Sequence, residues 1–110
     1  MTLLTLPARK AAAIAARLAA VEQLRPLLAF HARQLGGRYI LFGSAASGAM
    51  RPDSDVDLLL DFPAEDTTRA AWDFAEERCT SLGLPYDIRP VGWCGERFLS
   101  HVLPTATILG

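Results

Sequence analysis

Cysteine and histidine are both scarce in this chain, with two of each among 110 residues. Cys79 and Cys94 are too few for a disulfide scaffold and fit no zinc spacing, so they read as free thiols of a reducing compartment. His31 and His101 stand in no Ser-His-Asp or Cys-His arrangement that the spacing supports, which removes the commonest nucleophile–base chemistries. No apolar run approaches the roughly 20 residues of a membrane span. An excess of one charge is missing too: 11 Lys and Arg stand against 12 Asp and Glu, a formal net charge of −1. Such a chain has no strong field to gather nucleic acid or an anionic membrane, and direct nucleic-acid binding is not expected. Arg9-Lys10 before Ala11–Ala16 opens like an export signal, but Arg17, Glu22 and Arg25 interrupt it within a few residues. The expected location is the cytoplasm.

What is present fits one domain with a single core. Residues 8–24 read as an Ala-rich helix, with Ile14, Leu18, Val21 and Leu24 at helical spacing and Pro7 in its first turn. Pro26 is expected to break or kink it. Leu27, Leu28, His31 and Leu35 continue a second helical stretch that Gly36-Gly37 stops. Residues 38–42 form a run of strand formers, and residues 55–62 a second strand whose later half is apolar on both faces, as in a central strand covered by helices. Residues 66–82 return to helical spacing, with Trp72, Ala75, Cys79 and Leu82 on one face. Residues 85–91 suggest a third strand, which Pro85 and Pro90 push toward a sheet edge. Residues 95–103 read as a short helix and Thr105–Leu109 as a last extended segment. This order predicts an α/β (α+β) domain with a small mixed sheet flanked by helices.

The chemistry gathers in Gly43-Ser44 and, ten residues later, Asp55-Val56-Asp57. Side chains at i and i+2 of a strand share a face, with Cα atoms roughly 6.5 Å apart. Two carboxylates so placed suit one or two hard cations, and two-metal phosphoryl-transfer sites hold their ions about 3.5–4 Å apart. Without a cation the two would repel. Gly43 lets the backbone approach a ligand, and exposed N–H groups in such a turn bind phosphate, to which the Ser44 hydroxyl can donate. A loop offering donors beside a strand offering metal ligands is what phosphoryl or nucleotidyl transfer requires. Asp87 is the best third carboxylate, because an idle charge between Tyr86 and Ile88 would be unwelcome. Asp61 lies at the far end of its strand and Asp53 precedes it, so both are less suited. Arg89 shares the expected face of Asp87 and can pair with it or reach a phosphate. Trp72 is expected in the core, while Trp93 lines either a pocket or an interface.

These residues carry a resemblance. Leu41-Phe42-Gly43-Ser44, Gly48 and the run Pro52 to Leu60 resemble the minimal nucleotidyltransferase group of the DNA polymerase β-type nucleotidyltransferase superfamily. Tyr86-Asp87-Ile88 falls where that group places its third carboxylate. The similarity spans residues 24–110, leaving the Ala-rich helical start, 1–23, outside. It implies a polymerase β-type fold with Asp55, Asp57 and Asp87 as catalytic residues and metal ligands, Asp87 serving as ligand or as the base for an acceptor hydroxyl. Gly43 and Ser44 would hold the triphosphate, with two Mg²⁺ ions and ATP as substrate. Many members of the group are antitoxins paired with a HEPN-domain RNase toxin, and some transfer AMP to a tyrosine of that toxin. By similarity this chain is an AMP-transferring antitoxin in a hetero-oligomer with such a toxin. One departure stands out: Ala45 and Ser47 occupy positions where the group often carries an aromatic or Arg and then an Arg. Arg51 is the nearest replacement cation. The departure favours, as the alternative, an antitoxin that neutralises its partner by binding alone. A subunit of an antibiotic nucleotidyltransferase fits less well, since the chain has no further domain to hold that acceptor.

Overall fold

A computed structural model describes residues 5–110. The first helix, α1, spans Leu6–Leu35. The Thr5 hydroxyl accepts from the Ala8 N–H at its start, and Gly36, at φ 76°, closes its end in the left-handed conformation. The expected break at Pro26 does not occur, and the helix runs unbroken across residue 23 and on to Leu35. A proline inside a helix costs about 3 kcal/mol. Leu24 and Leu28 flank Pro26 and are both buried, and each such burial contributes about 1.5–3 kcal/mol. Packing on the sheet therefore outweighs the lost hydrogen bond.

Strand β1 (Arg38–Phe42) leads into a four-residue helix, α2 (Ser44–Ser47), and then β2 (Val56–Asp61). Helix α3 (Glu65–Ser81) connects β2 to β3 (Tyr86–Pro90). A short 3₁₀ turn, helix α4 (Glu96–Val102), a second 3₁₀ turn and β4 (Thr107–Leu109) complete the chain. The final extended segment begins later than its sequence suggests, because Leu103–Thr105 winds into that second 3₁₀ turn. The sheet order is β3-β2-β1-β4. β1 is antiparallel to both β2 and β4, whereas β2 and β3 run parallel, so the sheet is mixed. β3 is at the edge, as Pro85 just before it and Pro90 at its end favour.

The alternation of side chains along β1 and β2 divides the core. Tyr39, Leu41, Val56, Leu58 and Leu60 face α1 and α3, where Val21, Leu24, Ala71, Ala75 and Cys79 meet them. Ile40, Phe42 and Leu59 face the other way, under Phe98, Leu99 and Val102 of α4. β2 is thus covered on both faces, which is why its later half is apolar throughout. Burial pushes the Cys79 thiol up to about 11, leaving little thiolate at neutral pH. Among the described residues no helix is long and apolar enough to cross a membrane.

Tyr39 is fully buried and donates its hydroxyl to the carbonyl of Ala71 at 2.8 Å, tying β1 to α3. Tyr39→Phe is expected to cost about 1 kcal/mol, the typical net worth of such a bond. Urea denaturation checks this, and an unchanged midpoint would contradict it.

Candidate active site

Antiparallel pairing sets Phe42, the last residue of β1, opposite Asp57 of β2. The next residue, Gly43, therefore lands beside the Asp57 carboxylate. A Cβ built on Gly43 would lie 2.6 Å from Asp57 Oδ2. The backbone there has φ 70° and ψ −152°, a conformation that essentially only glycine adopts. Both facts make glycine obligatory at this turn. The turn closes through the N–H groups of Ala46 and Ser47, which donate to the Gly43 carbonyl, and of Gly48, which donates to Ser44. The N–H groups of Ser44 and Ala45 take no part in those bonds.

Parallel pairing sets Asp87 of β3 level with Asp57. Adjacent strands lie about 4.8 Å apart, and level residues point the same way. Asp57 and Asp87 therefore share a face, the one that also carries Leu59. Asp55 sits in the exposed segment just before β2. Asp55, Asp57, Ser44 and Arg51 line one open cleft of about 380 Å³, together with Asp53 and Ser54. Asp57 is half-buried, and its carboxyl is held above the usual carboxylate range. Burial is the main cause, followed by repulsion from Asp87 and then Asp55, with Arg89 acting in the opposite sense. Arg89 Nη2 stands 3.7 Å from Asp87 Oδ2, and its guanidinium lies 5.0 Å over the Phe98 ring. That ion pair is half-exposed and long, so it compensates Asp87 only weakly.

The donor set is all oxygen, which suits a hard divalent cation such as Mg²⁺. The crowding at Asp57 gives such a cation a place, since it would relieve both the desolvation and the repulsion. Among the described residues no three His, Cys, Asp or Glu side chains close around a common metal position. Asp57 is the shared neighbour of Asp55 and Asp87 rather than one corner of a tight triad.

Two further residues contribute to the cleft: Asp53, which its position before the strand makes less suited as a third carboxylate, and Ser54, to which the spacing assigns no role. Asp53 and Ser54 line the cleft because the 51–54 segment folds back on itself. The Ser54 N–H donates to the Arg51 carbonyl at 3.1 Å, and the Arg51 N–H donates to Ser54 Oγ at 2.7 Å. The Pro-Asp-Ser sequence was the available signal, as proline, Asp and Ser favour such turns. Asp61, by contrast, pairs with Arg38 at 2.7 Å at the far end of β2. Trp72 is only partly buried: its ring lies 5.6 Å from that of Trp93, and its Nε1–H donates to Glu76. These two indoles line a larger cleft of about 560 Å³ with Pro90 and the start of α3. Pro90 is three residues beyond Asp87, about 10 Å along β3, so this larger cleft lies away from the carboxylates.

A mixed sheet flanked by helices, with a glycine turn set against a strand carboxylate, defines a nucleotide-handling α/β domain. The model of the nucleotidyltransferase domain family matches residues 21–100, and the chain belongs to that family. No curated protein matches the chain.

Proposed function

We propose that the chain is a Mg²⁺-dependent nucleotidyltransferase that moves AMP from ATP to a hydroxyl, a tyrosine, of a partner HEPN-type RNase toxin, acting as a cytoplasmic antitoxin. The observation that carries transfer rather than mere binding is the contact between Gly43 and Asp57. It sets the Gly43 turn, whose N–H groups suit a phosphate, directly against a crowded carboxylate. The antitoxin role and the tyrosine acceptor rest on the minimal-nucleotidyltransferase resemblance.

In this reading Ser44 donates its hydroxyl, and the free turn N–H groups their protons, to the triphosphate. Arg51 lies in the same cleft and replaces the cation that Ala45 and Ser47 lack. Asp55 and Asp57, with Asp87 beside them, hold the metal. Bound there, Mg²⁺ would supply charge neutralisation for the triphosphate and for the departing pyrophosphate. Asp87 is exposed at the sheet edge, where an incoming acceptor has access, and accepts the proton of the attacking hydroxyl. The acceptor oxygen bonds to the α-phosphorus, the bond to the bridging oxygen breaks, and pyrophosphate departs.

The test is incubation with Mg²⁺, α-labelled ATP and the protein encoded beside it, repeated with Asp55→Ala/Asp57→Ala. Label on the partner that disappears with the double variant is the expected result. Neutralisation that persists in the variant, with no label in either case, would overturn transfer. It would favour the binding-only antitoxin, the reading to which Ala45 and Ser47 point.

A further inference from the structure

We infer that Arg17, on the part of α1 that precedes the family-matched region, is a positioning residue for the nucleotide cleft. The inference rests on the reading of that cleft as a nucleotide site. The matched residues begin at Val21, yet α1 extends back from there to Leu6 without interruption. Among the described residues, the one side-chain hydrogen bond that its earlier half sends to the site comes from Arg17. Arg17 Nε donates to the main-chain carbonyl of Pro52, 35 residues away. Pro52 stands in the turn whose residues Arg51, Asp53, Ser54 and Asp55 line the cleft.

The bond fixes more than one carbonyl. A trans peptide plane points its C=O and the following N–H in opposite directions, and the chain has no cis peptide among its described residues. Holding the Pro52 carbonyl against α1 therefore turns the Asp53 N–H away from α1. That N–H is not used by the bonds that close the turn. A second arginine repeats the device one loop earlier: Arg25 Nη2 donates to the Ala45 carbonyl at 3.3 Å. Ala45 belongs to α2, whose last carbonyls have no partner within so short a helix. The whole connection from Gly43 to Asp55 is thus gripped from behind at two points by cations of one helix. Arg17 adds charge as well as geometry. Its Nη1 is buried and has no hydrogen-bond partner among the described residues. Arg17 forms no ion pair among the described residues, so its charge stands behind the cleft.

Arg17→Gln in the full chain is expected to weaken Mg·ATP binding about tenfold, as loss of a charge-assisted bond implies. Calorimetric titration with Mg·ATP reads the affinity, at a temperature where circular dichroism shows the variant folded. Arg17→Lys keeps charge and donor and is expected to recover most of the loss. Arg9→Gln, which removes an exposed charge from the same helix, is expected to bind as wild type does. Should Arg17→Gln fail to fold, Arg17→Met keeps the packed stem, deletes the donor and carries the same expectation. A folded Arg17→Gln or Arg17→Met with wild-type affinity, or with no greater loss than Arg9→Gln, overturns the inference and leaves the nucleotide reading standing. A wild-type chain that binds no Mg·ATP overturns both.

Discussion

Asp57→Asn is expected to cut nucleotidyl transfer by about a thousandfold while making the metal-free protein more heat-stable. The first effect follows from Asp57's place beside both Asp55, which lines the same cleft, and Asp87, level with it on the neighbouring strand. Under the proposed function Asp57 holds the metal, and losing such a ligand forfeits several kcal/mol of transition-state stabilisation, with each 1.36 kcal/mol tenfold in rate. The second follows from what the fold does to the carboxyl. Its proton is held more tightly in the folded chain than in the unfolded one, chiefly through burial and then through Asp87 and Asp55. At acid pH the group is protonated in both states and carries no penalty. As pH rises through the raised folded range, the folded state must hold an unfavourable anion, and stability falls. Asparagine escapes this. The Tm advantage of the variant should therefore be small near pH 4, the ordinary carboxylate range, and largest near pH 7. Mg²⁺ should raise the Tm of the wild type more than that of the variant. A variant less stable than wild type at pH 7 without metal would show that Asp57 is not a crowded anion.

Gly43→Ala is expected to lose at least a hundredfold in activity and about 1–3 kcal/mol in stability. The new methyl would need to sit 2.6 Å from Asp57 Oδ2, and the alanine would need φ 70° with ψ −152°. Relief means moving either the turn or the carboxylate, and each movement separates the turn N–H groups, the proposed phosphate donors, from the proposed metal ligand. A misplacement of about 1 Å at a reacting centre costs on the order of a hundredfold. Gly48→Ala is the control. Gly48 also has a positive φ, 78°, but nothing lies within 4 Å of an added Cβ. It should lose about 1–2 kcal/mol from backbone strain and keep its activity. Urea denaturation and steady-state rates separate the two. Equal losses of activity in both variants would show that Gly43 contributes only its backbone conformation.

Much of this site was legible in the chain because its signals are local. Gly43-Ser44 after a run of strand formers, and Asp55-x-Asp57 before a doubly apolar strand, depend only on strand periodicity and glycine's freedom. The helix spacing of residues 66–82 and the edge position of Pro85–Pro90 are local in the same sense, and α3 and β3 lie close to those bounds. The family match over residues 21–100 bears out the nucleotidyltransferase superfamily that the motif resembles. The break expected at Pro26 failed for a non-local reason: the cost of proline is set by α1 itself, but the gain from burying Leu24 and Leu28 comes from the sheet.

The one-dimensional order thus determined which residues bring chemistry, since residue type and short spacing already limit what a turn and a strand can hold. The tertiary structure decided which of them meet. Asp57 stands level with Asp87 only because β2 and β3 pair parallel in one register, and a slip of one residue would put the two carboxylates on opposite faces. Gly43 touches Asp57 only because Phe42 pairs with it, and Arg17 reaches Pro52 only because α1 is long and packs behind both loops. Such contacts join residues from 14 to 35 positions apart. Their energy depends on how whole elements pack, and no periodicity within one segment encodes it.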